Sequence, residues 1–186
     1  MTVQTFLFDE IDAFKRGLQG LNSPVSEDKT KELEDLSDEM LDLLISAYVY
    51  GVDDTNLLLG GNASPDLNEM RATIEMKIDG KDFRERIAEH LSKGDIGMIG
   101  TVADTDAMRA YSAAVLNTGE KLGATKKTWH TMEDEKVRDT HFPLDGVTVP
   151  KDAYFYTYDG DKSLQPGMFE KAENNCNCRC YLSVSK

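Results

Sequence analysis

The sequence predicts an α+β protein. A helical N-terminal arm of several amphipathic helices, residues 1–123, is followed by a compact C-terminal module with short antiparallel strands, residues 124–186. Apolar residues recur at three- and four-residue steps through the first two thirds, which is the spacing of one helix face. Past Gly123 the texture changes, and Pro143, Pro150, Pro166, Gly146, Gly160 and Gly167 punctuate short β-prone runs. Charge follows the same division. Lys and Arg number 13 against 24 Asp and Glu in residues 1–126, but 8 against 10 in residues 127–186.

In chain order, Phe6, Ile11, Phe14 and Leu18 give a first helix over 3–17, and residues 21–24 interrupt it. Ser23-Pro24 offers an N-cap followed by proline at the first helical position. Leu33, Leu36, Met40, Leu43, Leu44, Ala47 and Tyr48 then form one apolar face of a helix expected to end near Gly51 and Asp53-Asp54. Gly60-Gly61-Asn62 breaks the chain, and Ser64-Pro65 starts a helix over 65–78. Asp79-Gly80 turns it, and Phe83, Ile87 and Leu91 mark a helix over 81–93 that Gly94 stops. The last helix carries Ile96, Ile99, Ala103, Ala107, Ala110, Tyr111, Ala114, Thr118 and Leu122, and ends at Gly123. Strands are expected at 126–131, 147–149, 154–158 and 178–184. Alternation puts Tyr154, Tyr156 and Tyr158 on one strand face and Phe155 on the other. Asp159-Gly160-Asp161 lacks the further ligands and closing Glu of an EF-hand, so it reads as a turn.

Composition excludes several function classes. The net charge of −13 argues against a free-standing, sequence-specific DNA binder, which needs a basic face. Any DNA contact must be weak, non-specific and local, at a patch such as Lys126, Lys127, Lys136 and Arg138. The N-terminus lacks the basic region of a signal peptide, and no apolar run approaches the roughly 20 residues that span a bilayer. A soluble chain made in the cytoplasm, without membrane contact, is expected. Three cysteines confined to 176–180 are not a secreted disulfide framework.

The polar residues of the C-terminal module admit more than one chemistry. Asp134, Arg138 and His141 have helical spacing, so Asp134 and Arg138 are placed for an ion pair. On a strand, Cys176, Cys178 and Cys180 point to one side. Their parallel side chains make a Cys178–Cys180 bridge poor, and buried structural thiols are the expectation. A zinc site with His141 as fourth ligand is the alternative, although Cys-x-Cys-x-Cys is not the usual ligand spacing. Two enzymatic readings stand beside these. Cys178 or Cys180 with His130 or His141 would make a nucleophile pair, and Arg138 with Glu170 or Glu173 would suit ADP-ribosyl transfer or a toxin-like domain. No complete catalytic motif is present, so no enzyme, no metal and no cofactor are expected.

Five short pieces occur in fixed order: Trp129; Asp134-Glu135-Lys136-Val137-Arg138-Asp139-Thr140-His141; Leu144-Asp145-Gly146; Pro166-Gly167; and Asn177-Cys178-Arg179-Cys180. In order and spacing they resemble the phage Mu F-like family of minor head proteins. Thr105-Asp106 and Arg109, ahead of Trp129, are also similar to what precedes the module in that family. The resemblance implies a minor capsid or head morphogenesis protein of a tailed bacteriophage. Such proteins act in procapsid assembly at the portal vertex or inner capsid surface, and some are thought to contact packaged DNA. It implies the portal protein, the major capsid protein or scaffold proteins as partners. It implies the host bacterial cytoplasm and then the virion head as location. The same module heads some phage-borne toxins, where a toxin domain follows it; with Lys186 close behind the closing strand, none is expected here. Trp129, Asp134, Arg138, His141, Gly146, Pro166, Gly167, Asn177, Cys178, Arg179 and Cys180 are the motif residues so implied, with a structural role. Trp129, Arg138, His141, Asn177 and Cys178 are expected to lie together, with Arg138 satisfying carbonyls or a carboxylate such as Asp134.

Overall fold

In the computed structural model, which describes residues 3–19 and 29–186, α-helices precede short strands as expected of an α+β chain. The helices are α1 (Val3–Gln19), α2 (Lys29–Leu59), α3 (Leu67–Ile74), α4 (Phe83–Lys93) and α5 (Ile96–Lys121). The strands are β1 (Lys126–His130), β2 (Thr148–Pro150), β3 (Phe155–Tyr156), β4 (Lys162–Ser163) and β5 (Tyr181–Ser185). The Ser23-Pro24 start lies outside the described residues.

Local chemistry sets several of the helix ends. Asp82 caps α4 by a full capping box with Glu85, and Gly94 closes it at φ +71°. Asp66, not Ser64, caps α3, its carboxylate accepting from the backbone of Asn68 and Glu69. That helix also stops at Ile74, short of 78, because Ile78 and Lys81 form an isolated bridge around the Asp79-Gly80 turn. The larger departure is α2. It runs through Gly51 and Asp53-Asp54 to Leu59, and the chain turns only at Gly60, φ +67°. Gly51 is not a stop but a contact. A Cβ there would sit 2.4 Å from the Tyr111 carbonyl oxygen and 2.8 Å from the Ala114 Cβ, so glycine lets α2 and α5 touch backbone to backbone. One turn later Asp54 accepts a 2.7 Å hydrogen bond from the Tyr111 hydroxyl, across the same interface.

The centre of the fold is α5. Its buried face includes Ile99, Ala103, Ala107, Ala110, Tyr111 and Ala114, small residues in the main, and α1, α2, α3, α4 and β5 all pack against it. The sheet order is β2-β1-β5, antiparallel throughout, with Lys127 opposite Val184 and Trp129 opposite Leu182. β3 and β4 form a separate hairpin closed by the Asp159-Gly160-Asp161 turn, Gly160 at φ +84°. Only Phe155 and Tyr156 of the expected 154–158 strand are paired; Phe155 is buried and the three tyrosines are exposed. A single hydrophobic cluster runs from Leu7 in α1 through α5 to Val184 in β5, across Gly123. Gly119 sits where a Cβ would meet a Val184 methyl at 2.9 Å, so helix and sheet are closely fitted there, though against a side chain rather than backbone.

The cysteine segment departs most from expectation. β5 begins at Tyr181, so Cys176, Cys178 and Cys180 lie ahead of the strand and do not share one face. Asn177 adopts φ +56°, a left-handed conformation that asparagine tolerates, and its backbone N–H donates to Thr105 Oγ1 at 3.1 Å. That reversal turns Cys176 out to solvent and Cys178 inward; all three thiols are free. No helix among the described residues is long and apolar enough to cross a membrane.

Candidate functional site

Residues 134–141 form turns rather than a helix, so Arg138 and His141 do not share a helix face. The Arg138 carbonyl accepts from the backbone N–H of both His141 and Phe142 at 2.9 Å, and this tight turn drives the His141 ring inward. There Nδ1 lies 3.6 Å from Cys178 Sγ and 3.6 Å from Cys180 Sγ. All three residues are buried. Aromatic rings enclose the group. His141 stacks on Phe169 at 5.2 Å between centroids and meets Trp129 edge-on at 5.7 Å, while Trp129 meets Phe155 at 5.1 Å. His141 Nε2 is buried without a hydrogen-bond partner, so the polar contact of this ring runs through Nδ1 alone. The Cys178 thiol is held well below its ordinary pKa, first by the adjacent Cys180 thiol and then by His141, against the opposing effect of burial. Cys180 is pushed up by the Cys178 thiol and by burial.

Trp129, His141 and Cys178 thus meet in the core, and Arg138 and Asn177 line a small cavity beside them with Cys180 and Arg179. Arg138 does not have the partner expected for it. Asp134 pairs with Arg179 at 2.8 Å, through both carboxylate oxygens, and Arg138 has no acidic partner among the described residues. The geometry gives the reason: without a helix, Asp134 and Arg138 are not on one face, and the turn brings Asp134 against the approach to β5. Gly146, φ +71°, donates its N–H to the Trp129 carbonyl at 2.9 Å and so closes the turn into β2.

Pro166 and Gly167 belong to a second polar centre. Gly167, φ +77°, presses the 165–169 loop on α5 so closely that a Cβ would lie 3.2 Å from the Arg109 Cβ. Gln165 donates to the Arg109 carbonyl at 3.1 Å. Beneath them Asp106, 0% exposed, receives Arg86 through both guanidinium Nη atoms and lies 3.0 Å from Arg109 Nη1. The Arg109 contact is one of charge rather than an aligned hydrogen bond, and Arg109 Nε is likewise unpartnered. Burial pushes the Arg109 guanidinium down from its ordinary value, and Asp106 opposes that shift. Sequence reasoning gave this trio no site role. The signal was there: Asp106 and Arg109 lie three apart within an alanine-rich face, where no solvated pair belongs.

The enzymatic arrangements fare differently. His130 points away from the cysteines; it stacks on Tyr181, and its Nε2 is 2.7 Å from Ser183 Oγ. His141 does sit beside Cys178 and Cys180, but among the described residues no third polar group hydrogen-bonds its ring at Nε2. Glu170 and Glu173 are exposed, and neither pairs with Arg138. The basic patch also loses a member. Lys127 is 0% exposed, donates to the Leu164 carbonyl at 2.7 Å and is pushed down to about 8 by burial.

Known proteins fit this construction. Residues 68–183, from α3 to β5, match the family model described as Phage Mu protein F like protein. The minor head protein GP7 of Bacillus phage SPP1 is 30% identical over 83 residues, a stretch that takes in 43% of this chain and 27% of that relative. No solved structure matches. The chain spans only about a quarter of the relative's length, but the family model covers more than half of this chain, including both polar centres, and on that match the chain belongs to the phage Mu protein F-like family.

Proposed function

We propose that the chain is a head morphogenesis protein of a tailed bacteriophage, a non-enzymatic component that acts in procapsid assembly at the portal or inner capsid surface. The observation that carries this reading is the family match over residues 68–183, together with similarity to a minor head protein. The interior is consistent with it. The motif residues Trp129, His141, Cys178 and Cys180 are buried, which suits structural rather than reactive thiols. The helical region 1–123 and the module 124–186 are proposed as the two parts of the chain, and among the described residues one hydrophobic cluster joins them. Portal, major capsid and scaffold proteins are the proposed partners. The host cytoplasm during assembly and then the virion head are the proposed locations. The test is procapsid purification with and without this chain. Co-sedimentation at low copy with particles that contain portal is expected; particles of normal composition and infectivity that never contain it would overturn the assignment.

Direct DNA contact is proposed to be weak. With Lys127 buried, at most Lys126, Lys136 and Arg138 remain of the basic patch, on a chain of net charge −13. Three phosphate contacts predict a slope of roughly −2.7 in log affinity against log salt on duplex DNA. Sub-micromolar binding at physiological salt would contradict this.

A further inference from the structure

We propose that His141, Cys178 and Cys180 bind a thiophilic metal ion of the zinc class, with His141 Nδ1 and the two Sγ atoms as ligands. This site is independent of the head-protein reading. Among the described residues these three are the group whose ligand atoms converge, all within 4.8 Å of one another and all buried. The spacing suits the ion. With Zn–S of about 2.3 Å and Zn–N of about 2.0–2.1 Å, tetrahedral angles place ligand nitrogen and sulfur about 3.6 Å apart. Both Nδ1–Sγ separations here are 3.6 Å, and the two sulfurs, within 4.8 Å of each other, would close to about 3.8 Å around the ion. Nδ1 has one lone pair or one proton, so hydrogen bonding to both sulfurs at once would be a weak three-centre contact. A centre shared by three ligands accounts for both distances.

The surroundings agree. Two thiolates and an imidazole are a soft donor set, which selects zinc-like ions over magnesium or calcium. Zn²⁺ held by two thiolates and a neutral imidazole, with any proton still on either sulfur released on binding, makes a neutral centre, which a shell of Trp129, Phe155 and Phe169 tolerates better than a lone thiolate. A cavity of about 10 Å³, lined in part by Met132 and Arg138, opens beside the cluster and holds about one water, enough for a fourth ligand. Cys176 is exposed and is left out of the site. The metal would tie the turn after Arg138 to the approach of β5, 37 and 39 residues away in sequence, in a module whose strands are at most five residues long.

The test uses the full chain, purified under reducing conditions, stripped with chelator and titrated with Co²⁺. One equivalent should give thiolate-to-cobalt charge-transfer and intense visible d–d bands, both abolished by added Zn²⁺, and Zn²⁺ should raise the melting temperature. Cys176→Ser should keep these signals. Cys178→Ser and Cys180→Ser should lose the charge-transfer band and the Zn²⁺-dependent rise in melting, with circular dichroism reporting whether each variant is folded. Since the wild-type titration needs no variant, a folded wild-type chain that shows no cobalt bands and no Zn²⁺ stabilisation overturns the proposal. So does binding that survives both cysteine substitutions or is lost in Cys176→Ser.

Discussion

Asp106→Ala is expected to destabilise the chain by about 3–5 kcal/mol, because it leaves buried guanidinium charge without a counter-ion. Asp106 is fully buried, Arg109 is 1% exposed and the Arg86 side chain is 14% exposed, so little water is on hand to replace the lost carboxylate. Coulomb attraction at the site is not the main quantity. What decides the loss is desolvation already incurred by Arg109, which Asp106 offsets and alanine does not. In a chain of this size the loss lowers the melting temperature by roughly 6–20 °C. Asp106→Asn keeps the shape and an acceptor but removes the charge, so it falls between alanine and wild type. Arg138→Ala is the contrasting variant. Arg138 is half-buried at the rim of the small cavity and has no acidic partner among the described residues, so roughly 1 kcal/mol or less is expected. Thermal melts of the three variants, each read as one transition, check the ranking. An Asp106→Ala chain that melts with wild type, or an Arg138→Ala chain that falls further than it, would show that the buried charge had been assigned to the wrong arginine.

That ranking reverses the one the sequence suggests, and the reason is physical. Arg138 sits in the densest part of the family motif, and its spacing from Asp134 and His141 implies a helix face. The segment is instead a series of turns, fixed by carbonyls that no periodicity records. Elements governed by neighbouring residues were legible: the Asp82–Glu85 capping box, the Gly94 stop and the face of α5 are written within a few positions. The start of β5 was not legible, because Asn177 holds its left-handed turn through Thr105, 72 residues earlier. The convergence of Trp129, His141 and Cys178 was legible as a motif but not as a geometry. Alternation on a strand would have grouped three cysteines, whereas the turn groups two of them with the histidine and turns Cys176 out. Lys127 misled in the opposite way. It reads as a surface cation, yet it shares the inward face of β1 with Trp129 and reaches the Leu164 carbonyl.

Gly51→Val is expected to cost about 3 kcal/mol, near the upper end for overpacking, although glycine inside a helix is normally a weakness. Two effects compete. Replacing an interior helical glycine with alanine improves helix propensity by up to about 1 kcal/mol, and with valine by less. Against that, a Cβ at residue 51 would lie 2.4 Å from the Tyr111 carbonyl oxygen and 2.8 Å from the Ala114 Cβ. Neither neighbour is the free end of a side chain. The carbonyl is fixed in α5 and the Ala114 Cβ cannot rotate away, so α2 must move off α5 as a body. That movement also stretches the 2.7 Å hydrogen bond from Tyr111 to Asp54, whose half-buried position raises the Asp54 carboxyl above its ordinary value. Overpacking therefore exceeds propensity. Gly51→Ala should lose roughly 1–2 kcal/mol net and Gly51→Val more. Gly17→Ala in α1 is the control, since an exposed Cβ there meets nothing within 4 Å and should leave stability unchanged or raise it by up to about 1 kcal/mol. Urea denaturation of the three variants measures the contrast. If Gly51→Ala gains stability as Gly17→Ala does, α2 and α5 are not in backbone contact, and the long α2 has to be explained by helix propensity instead.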